Sequence, residues 1–283
     1  LDIPPTGAEL TLAIGWKGQA LTERGTFIVD EVEHTGAPDT LNIRASSANM
    51  RQGLPGKRTQ SWDSVTVRDI IETIAARHQL TPSVGATLAG VRITHIDQTD
   101  ESDLHFLTRL AERFDAVATV KTGHLIFVPA GQATTATGLE IPPIQLRRQS
   151  GDQHRYLKAE RDAYTGVTAL WNNKAHARRE AVTVGEPQNA QQLRHTYASE
   201  EEALEAAQAE WQRIQRGTAY FSITQAIGDP ELFPEAPAWC LGWKPQIDAT
   251  PWIITEVTHS LTESSYTTAL QLEKRDGEHT PPN

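Results

Sequence analysis

The first fifty residues show the two-residue alternation of apolar and polar side chains that is typical of β-strands. Residues 8–14 alternate loosely, and the segment 35–39 is dense in turn residues. Residues 41–46 alternate again, with apolar Leu41, Ile43 and Ala45. In residues 26–33 the alternation assigns side chains to two predicted faces: Phe27, Val29 and Glu31 to one, Ile28 and Val32 to the other. The pattern predicts part of a β-barrel or a sandwich at residues 1–50.

Between residues 64 and 130 the apolar spacing changes to three and four, which predicts helices. Thr66 and Asp69 have the spacing of a capping box, with Asp in place of the usual Glu or Gln, so a helix begins near Thr66. Its predicted apolar stripe comprises Val67, Ile70, Ile71, Ile74 and Ala75. Asp100 and Asp103 repeat the capping spacing before a second helix. Its predicted buried face comprises Leu104, Leu107, Leu110, Ala111 and Phe114.

Strands at 116–121 and 124–129, joined by a tight turn at Thr122 and Gly123, complete a predicted α/β domain at 64–130. Two segments rich in Gly, Pro and small or charged residues flank it: a linker or exposed loop at 51–63 and a connector at 131–143. Strand patterns return at 144–276, interrupted by a helix near 199–216 that Ser199 and Glu202 cap. Residues 277–283 form a predicted frayed tail.

Composition supports a folded globular protein without cofactors. The 283 residues suffice for about two domains at roughly 150 residues each, and 38% of them are apolar. Cys240 is the only cysteine, so neither an intrachain disulfide nor a thiolate zinc site can form. No apolar stretch reaches the roughly 18 residues that a membrane span needs, and no basic and apolar leader precedes Leu1. The missing initiator Met leads us to expect that an N-terminal portion is absent.

The formal net charge of −10 argues against nucleic-acid binding as the main function, because such binding depends on Lys and Arg neutralising phosphates. No phosphate-loop, dinucleotide, nucleophile-elbow or HExxH motif is present. The sequence predicts no catalytic, cofactor-binding or metal-binding residue. The densest polar cluster, at residues 95–105, is interpreted as a charged helix cap in preference to a metal site. Cys240 lies in an apolar stretch and is expected to be a buried, inert thiol.

Three segments, in the same order along the chain, resemble the phage late control protein D family, the baseplate hub of contractile-tailed phages. They are FIVDEVEHTGAPDTLNIRA (27–45), DQTDESDLHFLTRLAERFDAVATV (97–120) and GWKPQIDATPWIITEVTHSL (242–261). The resemblance extends over nearly the whole chain and includes the hub region of type VI secretion spike proteins. It implies an α+β, mainly β fold with two similar β-barrel domains and an α/β domain between or beside them. Residues 1–50 would form a partial first barrel, whose first N-terminal strands are expected to be missing before Leu1, and 144–276 would form the second.

The same resemblance implies a structural function without catalysis: a homotrimeric symmetry adaptor that joins a hexameric tail tube to a trimeric central spike in a phage, prophage or tailocin. The implied partners are further copies of the chain, the tube protein, the spike protein and other baseplate proteins. The expected location is the virion tail baseplate, after synthesis and assembly in the bacterial cytoplasm and without membrane contact. DNA would only pass through, and an acidic bore would let it pass without sticking.

Two points remain open at the level of sequence. A tail-associated peptidoglycan hydrolase is the alternative function, since a catalytic carboxylate pair is defined by its separation in space and not by spacing in sequence. Interface residues are not specified by any motif. Exposed tryptophans are enriched at interfaces, and Trp16 and Trp62 are the candidates.

Overall fold

The computed structural model describes residues 2–47, 56–121, 123–133, 135, 139–158 and 164–275. These residues form seventeen strands and five α-helices, so the prediction of a mainly β fold is confirmed. The chain divides into two compact units. The first consists chiefly of 1–111 and 117–128, and the second of 112–116, 129–135 and 139–283. The predicted tail, the turn residue Thr122 and positions 51–55 of the predicted linker lie outside the described residues.

The first unit contains eight strands and three helices. In chain order they are β1 (Glu9–Ile14), β2 (Thr22–Thr35), β3 (Thr40–Ser47), β4 (Lys57–Thr66), α1 (Val67–Arg77), β5 (Thr81–Val84), α2 (Ala86–Ala89), β6 (Arg92–Ser102), α3 (Asp103–Arg113), β7 (Ala116–Lys121) and β8 (His124–Pro129). The strands form three sheets, of order β1-β2-β3, β4-β6 and β5-β8-β7. Both predicted helices and the predicted strands at 116–121 and 124–129 are present.

The β1-β2-β3 sheet is antiparallel, and its register contains a β-bulge that corrects the predicted faces. Val29 pairs with Ala45, but Val32 pairs with Ile43, because Asp30 is an extra residue in β2. The bulge moves Val32 onto the face of Val29 and moves Glu31 to the opposite face. The predicted faces of these two residues are therefore wrong, since a regular two-residue alternation has no extra residue.

Most apolar side chains of this sheet are only partly covered. Val29 is fully buried, whereas Leu10, Leu12 and Ile43 are 39%, 46% and 41% exposed. Antiparallel sheets commonly have one face on a core and one in water, but here the apolar face retains much of its contact with water. The sheet therefore has the amphipathic pattern of a barrel or sandwich wall without a complete second layer.

The predicted linker at 51–63 is wrong for residues 57–63, which belong to β4. This strand pairs antiparallel with β6, with Trp62 opposite Ile96 and Asp63 opposite His95. Trp62 is only 4% exposed and stacks on Phe106 at 5.9 Å between ring centroids. Lys57 and Asp63 are exposed on this strand, whereas Arg58 reaches the buried carboxylate of Asp103, so the charges that suggested a loop are divided between the two sides.

The capping prediction holds for α1 but not for α3. Thr66 accepts a hydrogen bond from the backbone N–H of Asp69, whose carboxylate accepts from the backbone N–H of Thr66. At α3 the cap is Ser102, whose hydroxyl accepts from the backbone N–H of His105 at 3.2 Å. Of the predicted apolar face of α3, Leu104 is half-buried, and Phe106 is fully buried in its place.

Asp103 is the centre of a buried polar cluster. Its side chain has no exposed surface, and Oδ1 lies 3.2 Å from both Arg58 Nε and Arg77 Nη1. Gln98 donates to the same oxygen at 2.8 Å, and His78 Nε2 lies 2.7 Å from Oδ2. A carboxylate is stable in such a position only when charged and hydrogen-bonded partners replace water. Asp103 thereby connects β4, the end of α1, β6 and α3.

The second unit contains nine strands and two α-helices in the described residues. They are β9 (Ile144–Arg147), β10 (Gln153–Lys158), β11 (Gly166–Asn173), β12 (Arg178–Gly185), β13 (Ala190–Tyr197), α4 (Glu200–Arg216), β14 (Ala219–Gln225), β15 (Pro237–Leu241), α5 (Pro245–Asp248), β16 (Trp252–Leu261) and β17 (Tyr266–Lys274). A 3₁₀ turn at Pro187–Asn189 precedes β13. The strands form two sheets, so residues 144–276 do not make up one uninterrupted sheet.

The six-stranded sheet has the order β10-β14-β17-β16-β15-β9 and curls into half a barrel. Its core is aromatic and aliphatic, and Phe221, Trp252 and Leu272 are all at most 1% exposed. The three-stranded sheet, of order β12-β11-β13, is covered by α4. Ser199 caps α4 as predicted, but the buried face of the helix is mainly alanine.

A buried ion pair ties the segment 112–116 to α4. Asp115 and Arg216 are both almost completely buried, and Arg216 Nη2 donates to Asp115 Oδ1. Arg213 Nη2 donates to the carbonyl of Glu112 at 2.7 Å. These contacts explain why the segment belongs to the second unit, although its neighbours in sequence belong to the first.

Substituting Asp103→Asn is expected to lower the free energy of unfolding by about 3 kcal/mol, because two guanidinium groups would lose their buried counter-charge. Urea denaturation measures the loss. The control is Asp100→Asn, which removes a carboxylate that pairs with Lys57 at the surface, and it should cost less than about 1 kcal/mol. Equally small losses for both variants would contradict the central place of Asp103.

Two substitutions in the first sheet test whether its apolar face is uncovered in the free chain. Val29→Ala should cost roughly 2 kcal/mol, because Val29 is fully buried. Leu12→Thr should cost less than about 1 kcal/mol, since nearly half of that side chain is already in water. Urea denaturation at a protein concentration low enough to keep the chains apart measures both losses, and comparable losses would mean that Leu12 is covered within its own chain.

Candidate assembly surface

The β1-β2-β3 sheet has two chemically opposite faces. Cross-strand pairing defines an apolar face, which comprises Leu10, Leu12, Phe27, Val29, Val32, Leu41, Ile43 and Ala45. The same pairing, with the contacts of Asp30, defines an acidic face, which also contains Ile28 and whose charged residues include Glu9, Glu23, Asp30, Glu31, Glu33 and Arg44. Two register shifts, at Arg24 and at Asp30, keep the two sets on opposite faces along β2.

Cross-strand hydrogen bonds hold the acidic face. Arg44 Nη1 lies 3.1 Å from Glu31 Oε2, and Asn42 Nδ2 donates to Glu33 Oε2 at 3.2 Å. The hydroxyl of Ser46 donates to Asp30 Oδ2. The Arg44 and Glu31 side chains remain 79% and 56% exposed, so this face stays in water. Its excess of carboxylates gives it a negative potential that repels polyanions within about a Debye length.

The apolar face suits contact with protein. Contiguous exposed apolar surface on a soluble chain marks a site for protein or ligand contact. Both outer strands, β1 and β3, also have one edge that pairs with no other strand among the described residues. An exposed apolar face together with free strand edges is what a further strand or a neighbouring subunit would cover.

The structure separates the two tryptophans that were candidates for an interface. Trp62 is buried in its own unit, with Arg77 Cζ 5.4 Å from its ring centroid, so the expectation of an exposed Trp62 is wrong. Trp16 is half-buried in the turn after β1 and is not among the buried core residues. A role for Trp16 in an interface stays a prediction.

The polar cluster at 95–105 is divided among separate contacts. Asp100 pairs with Lys57, Glu101 pairs with Arg109 at 2.7 Å, and Asp103 is buried. His95 lies between two other carboxylates on the solvent side of β4 and β6. In the portion of the chain that the structure describes, no group of three or more His, Cys, Asp or Glu side chains is arranged to hold a metal ion.

Cys240 is fully buried in the core of the six-stranded sheet, as predicted. Burial raises the pKa of its thiol far above the ordinary value, and Asp248 raises it further. A thiol in this state is protonated at neutral pH and is a poor nucleophile. None of the helices in the described residues has the length and hydropathy of a membrane span.

Known proteins are similar to this chain in sequence and in fold. Residues 4–265 match the family described as "Phage tail baseplate hub (GPD)". A "Probable baseplate hub protein" of Escherichia phage 186 is 42% identical over an alignment of 314 positions that spans 96% of this chain and 81% of that protein.

Two solved structures have a similar fold at low sequence identity. The 43 kDa tail protein of prophage MuSo2 from Shewanella oneidensis has a TM-score of 0.67 at 14% identity, over 96% of this chain and 84% of that protein. The E. coli c3393 protein, a component of the type VI secretion system, has a TM-score of 0.59 at 12% identity, over 96% and 66%. With a family match over most of its length and a relative at 42% identity, the chain belongs to the phage tail baseplate hub family.

Proposed function

We propose that this baseplate hub protein acts as a homotrimeric symmetry adaptor between a hexameric tail tube and a trimeric central spike, in a phage, a prophage or a tailocin. It is a structural protein without catalysis, and it assembles in the bacterial cytoplasm with the tube, the spike and other baseplate proteins. Residues 1–50 form a portion of a first barrel, and 144–276 provide the second. Two barrels in each of three chains would give a ring with pseudo-sixfold symmetry.

The observation that supports this proposal is the uncovered apolar face of the first sheet. Leu10, Leu12 and Ile43 are 39%, 46% and 41% exposed, on a sheet whose outer edges pair with no other strand among the described residues. Burial of such a face releases roughly 25 cal/mol per Å² of apolar surface, which favours association. In the trimer, further strands of the same barrel and neighbouring copies would cover this face and its edges, with Trp16 as an additional proposed contact.

The acidic face lines the bore of the proposed ring. Its five carboxylates would repel a passing DNA duplex and so prevent it from sticking. No observation favours the alternative function, a peptidoglycan hydrolase: the family description and the name of the relative indicate a hub.

The solution mass tests the trimer. Light scattering coupled to size exclusion should give a mass near three times the 31.2 kDa chain. The double variant Leu10→Asp/Leu12→Asp should reduce the mass to that of one chain, because it places charge on the apolar face. Leu261→Asp, at a similarly exposed leucine outside that sheet, is the control and should keep the trimer. A single-chain mass for the unmodified protein would contradict the proposal.

A charge-reversal variant tests whether the acidic face lines a closed bore. A trimer with Glu9→Lys, Glu23→Lys and Glu33→Lys should bind short linear duplexes at low salt and release them as salt rises. It should not bind closed circular plasmid, since a circle has no end to thread through a ring. The variant Glu72→Lys/Glu140→Lys/Glu263→Lys has the same net charge and should not show this selectivity. Equal binding of linear and circular DNA by the first variant would place the acidic face outside the ring.

A further inference from the structure

His95 lies between two carboxylates on the solvent side of the β4-β6 pair. Its Nδ1 is 2.6 Å from Oδ1 of Asp63, the residue directly opposite on β4, and its Nε2 is 3.2 Å from Oδ2 of Asp97, two residues further along β6. Ser61, opposite Asp97, donates its hydroxyl to Asp97 Oδ1 at 2.6 Å. The four side chains form one connected cross-strand group, and none of them belongs to the assembly surface on β1-β2-β3.

Both hydrogen bonds of the His95 ring can form only when the imidazole is protonated. A neutral histidine has one N–H and can donate to one carboxylate, whereas the imidazolium can donate to both. The hydrogen bond to Asp63, followed by that to Asp97, raises the pKa of His95 above its ordinary value. Hydrogen bonds from Ser61 and His95 lower the pKa of Asp97, so the carboxylate remains charged.

Among the described residues, β4 and β6 pair with each other and with no other strand. β4 and β6 form a sheet of two strands, and a two-stranded pair depends on side-chain contacts for its stability. The opposite side is fixed by the stack of Trp62 on Phe106. On the solvent side, Arg109 donates to the carbonyl of Asp97 at 2.7 Å and pairs with Glu101, and Lys57 of β4 pairs with Asp100 of β6 at 2.9 Å.

We propose that Asp63, His95 and Asp97 form a pH-sensitive clasp, which joins β4 to β6 while His95 is protonated and loosens on the Asp97 side when His95 is neutral. Asp97 is released first because its contact with the ring is the longer one and because Ser61 still satisfies it. The remaining proton stays on Nδ1, in the 2.6 Å contact with Asp63. The clasp is a conformational device of the first unit, and it does not depend on the proposed trimer.

The sign of the pH effect follows from the raised pKa. A group that holds its proton more tightly in the folded state stabilises that state fully below its unfolded pKa of about 6.5. The stabilisation disappears as the pH rises through the higher folded pKa. The clasp is therefore closed near pH 6 and loosened in mildly alkaline solution.

The experiment is an NMR titration combined with amide hydrogen exchange on the full chain. The imidazole signal that His95→Gln removes should titrate above pH 6.5, and Asp63→Asn should lower that pKa more than Asp97→Asn does. After correction for intrinsic exchange rates, protection of residues 61–63 and 95–97 should fall roughly two- to fivefold between pH 6 and pH 8.5. The His95→Gln variant should show no such change, and the control His105→Gln, at an exposed histidine of the same unit, should behave as the unmodified chain.

The clasp is overturned by a His95 pKa at or below 6.5, or by protection of the two strands that does not change between the two pH values. The titration of the unmodified chain needs no folded variant beyond the one used for assignment. A pH-dependent loss of protection that persists in His95→Gln would assign the effect to another group and would equally contradict the proposal.

Discussion

An apolar sheet face cannot remain in water at no cost, and this constraint determines what the first fifty residues can do. In the six-stranded sheet, the chain covers its own apolar face with aromatic and aliphatic side chains at most a few per cent exposed. In the three-stranded sheet β1-β2-β3, Val29 is buried but Leu12 keeps nearly half of its surface. Burial of apolar surface therefore stabilises the second unit internally, whereas the first sheet still has apolar surface available for association.

The rest of the first unit is subject to a different constraint, because its core contains a charged side chain that needs buried partners. Asp103 is completely buried, and the partners that make this possible come from β4, the end of α1 and β6. Buried ion clusters add little net stability compared with an apolar core, but each partner must be in place for the others to be satisfied. We infer that this cluster fixes the relative positions of the surrounding strands and helices and so gives the α/β region a single definite arrangement.

Much of the fold could be predicted from the sequence because its local signals are strong. The capping box at Thr66, the strands at 116–121 and 124–129, and the cap at Ser199 all lie where the pattern places them. The errors have a common cause, which is that a pattern contains no information about the third dimension. A bulge at Asp30 reverses the faces of Glu31 and Val32, and a strand with a charged solvent side resembles a linker.

The candidate surface was harder to predict than the fold for the same reason. The sequence shows that β2 contains both carboxylates and apolar residues, but only the register with β1 and β3 sorts them onto opposite faces. Trp62 illustrates the converse error: a large aromatic residue in a charged segment suggested an exposed contact, whereas the fold stacks it on Phe106. Composition can indicate that an interface exists, and the placement of its residues requires the register.

The two faces of β1-β2-β3 together restrict how the sheet can sit in any assembly. Covering the acidic face with protein would strip water from five carboxylates, and uncompensated buried charges are strongly unfavourable. Leaving the apolar face in water would forgo the burial of several leucine, isoleucine and valine side chains. The favourable orientation turns the apolar side towards protein and the acidic side towards solvent. The cost of desolvation thus determines which face of the sheet turns towards protein, before any specific contact between subunits is formed.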